Sequence, residues 1–205
     1  MAQNTSQIPL SFPVRESHSR ENFMPAPCNL EALAWIDRWP EWNYPALIIY
    51  GAKGCGKTHL SALWTKRAEG KNIVIDDADR YLGREDTETG LFHQFNAAKE
   101  SGDFLLLTME RPPATYTYFL PDLKSRLCAA PSVEVQQPDD IALQGVFLKL
   151  CHDRQLKISP EVIQYILPRI ERNYDSIRDL VSKIDTQSLS EKRAITVPFI
   201  RDFLD

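Results

Sequence analysis

Gly51, Gly54, Gly56, Lys57 and Thr58 fall in the spacing G-x-x-x-x-G-K-[ST], here Gly51-Ala52-Lys53-Gly54-Cys55-Gly56-Lys57-Thr58. Glycines at these places let backbone N–H groups turn inward on phosphate oxygens, and a helix N-terminus behind them adds favourable partial charge. A lysine at the eighth-minus-one place reaches the β- and γ-phosphates, and a hydroxyl beside it suits Mg²⁺. Cys55 and His59 sit within or just after this loop and belong to the same candidate nucleotide site. A glycine-rich turn without a ligand is the plain alternative. The flanks decide against it: the apolar run Ala46-Leu47-Ile48-Ile49-Tyr50 precedes the loop, and the helical segment His59-Leu60-Ser61-Ala62-Leu63-Trp64 follows it. A second constellation lies about 18 residues downstream of Thr58, where Asn72-Ile73-Val74-Ile75 ends in Asp76-Asp77. Acids after a strand are common turn starters. With the glycine loop upstream they read as a Walker B segment, Asp76 holding Mg²⁺ and Asp77 polarising an attacking water. The ligand is therefore a nucleotide with Mg²⁺.

These groups need elements to hold them. Residues 29–39 read as a helix with Asn29 as N-cap, stopped by Pro40. Trp35, Trp39 and Trp42 read as core packing rather than a binding platform. Residues 80–90 are polar and read as loop. Residues 89–101 then carry Leu91, Phe92, Phe95 and Ala98 on one helical face, with Gly102 as a stop. Phe104-Leu105-Leu106-Leu107-Thr108 is a buried strand and Val133–Val135 a short last one. Strands alternating with helices predict an α/β fold with a parallel sheet and the ligand at the carboxyl ends of its strands. From Asp139 onward no strand signal occurs, and helices over 140–152, 160–170, 174–188 and 197–204 predict an all-helical lid. The expected organisation is a tail over 1–21, a nucleotide-binding core over 22–138 and the lid over 139–205.

Composition bounds the rest. With 205 residues, 43% hydrophobic and 25% charged, the chain buries a core without staples. A net charge of −4 gives no overall basic field for nucleic acid. The apolar runs are far shorter than a membrane span, and the N-terminal residues lack a signal core, which predicts a cytoplasmic protein without a membrane partner. Cys28, Cys55, Cys128 and Cys151 have neither disulfide nor metal spacing and read as reduced thiols.

Within the tail, Gln7-Ile8-Pro9-Leu10-Ser11-Phe12 resembles the short peptide with which bacterial proteins dock on the replication sliding clamp. Leu10 and Phe12 would enter an apolar pocket, with Ile8 beside them and Gln7 at its edge. A tail with two stray apolar residues is the bland reading of the same stretch.

The segments GAKGCGKTHL, IVIDDAD, LLLTMERPP, LPDLKSRL and RNYDSIRDL, in this order, resemble the AAA+ ATPases and, within them, the central domain of the replication initiator DnaA. With the clamp peptide ahead and lid helices at the end, the chain is similar to the Hda (HdaA-like) family of DnaA-related proteins. That resemblance implies a regulator that docks on the DNA polymerase III sliding clamp (beta subunit) and promotes hydrolysis of DnaA-bound ATP, meeting DNA only through the clamp. It implies Arg126 as an arginine finger acting in trans, Arg178 as the sensor-2 arginine and Glu110 as sensor 1. It also implies that the loop over 23–29 lies on the base side. Hydrolysis by the chain itself is then slow or absent, and self-association is open. The chain departs from the family in one respect: the stretch between Thr58 and Asp76 holds one helix and one strand only. A βα unit is missing, so about four strands are expected, with the Walker B strand nearer an edge. The competing readings are a self-contained AAA+ ATPase (a helicase loader or transposition ATPase) and, less well matched, a small-molecule kinase. Nucleic-acid-dependent hydrolysis by the isolated protein separates the first of these from the regulator.

Overall fold

Four apolar runs form four strands, β1 (Ala46–Tyr50), β2 (Asn72–Ile75), β3 (Phe104–Met109) and β4 (Ser132–Glu134). The computed structural model describes residues 23–68, 72–191 and 193–204. Gln7, Ile8, Leu10 and Phe12 lie outside the described residues. All pairings are parallel and the spatial order is β2-β3-β1-β4. β1 and β3 run through the middle and are buried almost throughout. β2, which carries the acids, is an edge strand and only Ile75 of it is buried. The reason is the short connection: only helix α2 (Lys57–Arg67) lies between β1 and β2, so no further strand is available to cover that edge.

Alternation along β1 divides the core in two. Leu47 and Ile49 face α1 (Leu30–Asp37) and α2, among Leu33, Ile36, Leu60 and Trp64. Ala46 and Ile48 face α3 (Glu85–Ser101) and α4 (Pro121–Ala129), among Leu91, Phe95, Leu123 and Leu127. Helices on both faces explain why the central strands are continuously apolar. The tryptophans pack as expected: Trp42 stacks on Trp64 with ring centres 5.3 Å apart, and Trp39 meets Trp64 edge-on.

The C-terminal helices α5 (Asp140–Asp153), α6 (Pro160–Ile166), α7 (Tyr174–Glu191) and α8 (Val197–Leu204) close a separate core around Phe147, Ile177, Val181, Ile184 and Phe199. Asp139 caps α5, its carboxylate accepting from the Ala142 N–H at 2.7 Å. Fold and lid are those expected.

Several local features differ from the sequence reading. Residues 78–81 form a 3₁₀ turn and α3 begins at Glu85, so much of the expected loop is ordered. Glu85, Asp86 and Glu88 crowd its first turn, where negative charge favours a helix start. α6 stops at Ile166 and tightens into a 3₁₀ turn over Leu167–Arg169, because Pro168 cannot continue the α-helical bonding. Asn29 precedes α1 but makes no capping bond to it. Its side chain instead accepts from the Ala26 N–H at 2.9 Å and donates to the Met24 carbonyl, tying the 23–29 loop together.

Candidate functional site

The glycine loop emerges from the buried end of β1. The Gly51 N–H donates to the Met109 carbonyl at 3.1 Å, and a Cβ at position 51 would lie 2.2 Å from the Val135 carbonyl oxygen. Only glycine lets the loop start this close to the strand beside it. Gly56 takes φ of 104° and precedes α2 without any side-chain cap. The first N–H groups of α2 are thus left to a ligand that accepts hydrogen bonds, which is the arrangement an anion needs. Lys57 is buried, and its ammonium donates to the Gly51 carbonyl at 2.7 Å and the Ala52 carbonyl at 3.0 Å. It closes the loop on itself and keeps a buried charge paired. Burial pushes the Cys55 thiol up, against the opposing pull of Lys57, and its side chain packs into the core.

Asp76 and Asp77 leave β2 beside this loop. One Asp76 oxygen accepts from the Thr108 hydroxyl at 3.0 Å and lies 3.2 Å from the Ser61 hydroxyl. The Ser61 hydroxyl is also 3.0 Å from the Thr58 carbonyl, and its single proton serves one of these acceptors at a time. Ser61 therefore links the Thr58 turn of α2 to the acid. Thr108 also accepts from the Asp77 N–H at 2.9 Å, which fixes a residue held at φ of 51°. Neither Thr108 nor Ser61 stood out as a site residue from sequence. The available signals were a hydroxyl in the aliphatic run of β3 and a serine one turn after Thr58 on the buried side of α2. The donors left for a cation are the second Asp76 oxygen and the Thr58 hydroxyl, hard oxygens that fit Mg²⁺. The Asp77 carboxylate pairs with Arg80 at 2.7 Å on the surface.

The lid reaches the same loop. The Tyr174 N–H donates to the Gly54 carbonyl at 2.8 Å, and the Asn173 side chain packs against Gly54 so closely that a Cβ there would lie 2.8 Å from it. Asn173 also caps α7 by accepting from the Ser176 N–H at 2.7 Å. The Tyr174 ring covers Gly56, and its hydroxyl lies 3.7 Å from Cys28 Sγ, where burial pushes its pKa up. The first turn of α7 is thereby seated on the glycine loop. Arg178 follows one turn later, its side chain 30% exposed and 3.5 Å from Asp175. In the 23–29 loop Phe23 meets the His59 ring edge-on at 5.2 Å, and the Cys28 carbonyl accepts from the Gln136 N–H. Glu110 is exposed at the end of β3, next to Met109 and hence to the loop's start.

Arg126 lies elsewhere. It belongs to α4, and its carbonyl accepts from the Tyr44 hydroxyl at 3.1 Å. Tyr44 precedes β1 whereas the glycine loop follows it, so the strand's length of about 16 Å separates them. The guanidinium rests over the rings of Phe92 and Phe95 at 4.8 and 5.6 Å. Loop, acids and the start of α7 come together; Arg126 does not join them.

Comparison with known proteins places this geometry. Residues 143–204 match the family "Hda, lid domain". The chromosomal replication initiator protein DnaA of Nautilia profundicola is 26% identical over 206 residues, spanning 82% of this chain and 47% of that protein. The chain thus spans about half the length of that relative. Domain III of the Thermotoga maritima initiator DnaA superposes with a TM-score of 0.79 at 20% identity, covering 95% of this chain and all of that one. The chain carries an Hda-type lid and is similar to the DnaA-related AAA+ proteins. The AMPPCP-bound structure of Aquifex aeolicus DnaA also shares this fold, with a TM-score of 0.72 at 21% identity over 89% of the Hda-like chain and 69% of the other. Among the described residues of this Hda-like protein no helix is long and apolar enough to cross a membrane.

Proposed function

We propose that this Hda-like protein is a nucleotide-binding cytoplasmic regulator of replication initiation, which docks on the sliding clamp and promotes hydrolysis of DnaA-bound ATP through Arg126. The observation that carries the reading is the placement of Arg126 at the end of the sheet opposite its own glycine loop, on the α3–α4 face. A guanidinium there is out of reach of the chain's own nucleotide and available to a neighbour's. Fingers of this kind are worth roughly 10³–10⁵ in rate.

ATP or ADP with Mg²⁺ supplies the charge that the loop and the acids gather around. The Lys57 ammonium exchanges the Gly51 and Ala52 carbonyls for phosphate oxygens, which are stronger acceptors. Thr58 and Asp76 hold the cation, and Ser61 and Thr108 keep the Asp76 carboxylate in place. The contact of Tyr174 with Gly54 lets the phosphate loop set the lid's position, and with it that of Arg178. The Asp77 carboxylate is turned to Arg80 and away from the role of positioning a water at the chain's own site, which favours binding over turnover. Gln7, Ile8, Leu10 and Phe12 provide the tether to the clamp, and Glu110 serves as sensor 1.

The test is single-turnover hydrolysis of ATP prebound to DnaA, with the protein and DNA-loaded clamp added. Stimulation that needs both supports the proposal; hydrolysis at the rate of DnaA alone refutes it. The second reading, a self-contained AAA+ ATPase, draws on Lys57, Thr58, Asp76 and Asp77 standing together at one loop. DNA-dependent hydrolysis by the protein without DnaA would favour it.

A further inference from the structure

We infer that Phe92 and Phe95, together with Glu88 on the same helix, form a seat that holds Arg126 ready for a neighbouring molecule's nucleotide; this rests on the finger assignment above. The three residues fall at i, i+4 and i+7 of α3 and form one stripe facing α4. Glu88 is fully buried. Its carboxylate accepts from the N–H groups of Gly83 at 2.6 Å, Phe119 at 2.9 Å and Leu120 at 2.7 Å. Leu120 immediately precedes α4, so Glu88 fixes where that helix begins. One turn on, the Arg126 guanidinium lies over Phe92 at 4.8 Å and Phe95 at 5.6 Å, within the range where ring faces attract a cation. Phe95 is a core residue, whereas Phe92 is half-buried and lies at the rim.

An arginine on a surface helix ordinarily samples many rotamers, and ordering it on encounter costs affinity and rate. Two rings beneath the guanidinium and a fixed helix start remove most of that freedom beforehand. Phe92 is therefore a positioning residue for Arg126. The partner it prepares for is a molecule presenting a nucleoside triphosphate with its γ-phosphate accessible at an intermolecular face.

The experiment measures stimulation of DnaA·ATP hydrolysis on DNA-loaded clamp for wild type, Arg126→Ala, Phe92→Leu, Phe92→Met and Phe92→Tyr, with each variant's own nucleotide affinity measured in parallel. The expected result is loss with Arg126→Ala, a roughly fivefold loss with Phe92→Leu and Phe92→Met, and retention of at least about half with Phe92→Tyr, all with unchanged nucleotide affinity. Two aliphatic replacements of different shape guard against one of them failing to fold. If Arg126→Ala stimulates like wild type, the finger reading falls. If Arg126→Ala is inactive while Phe92→Leu or Phe92→Met stimulates fully, the seat is wrong and the finger stands. An equal loss in Phe92→Tyr would show that packing volume matters and the ring face does not, which also overturns the inference.

Discussion

At the carboxyl end of β1 the functional groups are gathered largely by backbone: Gly51 against Val135, Gly54 bonded to Tyr174, and Lys57 folded onto two carbonyls of its own loop. On the α3–α4 face Arg126, the proposed finger, rests over two rings of another helix, Phe92 and Phe95, while Glu88 of that helix bonds the Leu120 N–H just ahead of α4. The difference matters for how each region tolerates change. A backbone-built site constrains glycine positions and spacing. A side-chain-built seat constrains residues far from the motif they serve.

The sharpest way to break the comparison is Glu88→Ala, which leaves three N–H groups without their charged acceptor and should cost about 3–5 kcal/mol. Urea unfolding measures it. A loss below about 1 kcal/mol would mean that the start of α4 does not depend on Glu88. Lys57→Ala should weaken nucleotide binding on the order of 100-fold, by titration calorimetry, with little effect on α3 or α4. Thr108→Val removes the hydroxyl shared by Asp76 and Asp77, and should weaken Mg²⁺-supported binding about tenfold while leaving Mg²⁺-free binding alike. The smallest effect concerns pH. Burial pushes the Cys151 thiol up to about 12 from its ordinary 9.0. Between these values the unfolded chain releases a proton that the native state keeps, so stability should decline as pH rises past 9, and Cys151→Ser or Cys151→Ala should flatten that decline.

What could be read beforehand follows the same division. The P-loop, the acids of β2, the edge position of that strand and the four lid helices were visible because each depends on local spacing or on the room between two motifs. Thr108, Ser61 and Tyr174 were not visible as site residues. Their roles arise where β3, α2 and α7 meet, and no local pattern marks such a meeting. Residues 80–90 read as loop because their polar composition suggested it. Yet Glu88 is polar and wholly buried, its carboxylate compensated by N–H groups 31 and 32 residues away along the chain. Long-range compensation of that kind leaves no periodicity to find.

The central claim is that one end of the sheet binds a nucleotide while the opposite end acts on another molecule's. The most direct measurement takes Arg126→Ala and determines, in one preparation, its own nucleotide affinity and its stimulation of DnaA·ATP hydrolysis on DNA-loaded clamp. The account predicts an affinity within about twofold of wild type and hydrolysis reduced to the rate of DnaA alone. Undiminished stimulation, or a large loss of the variant's own nucleotide affinity, would contradict it.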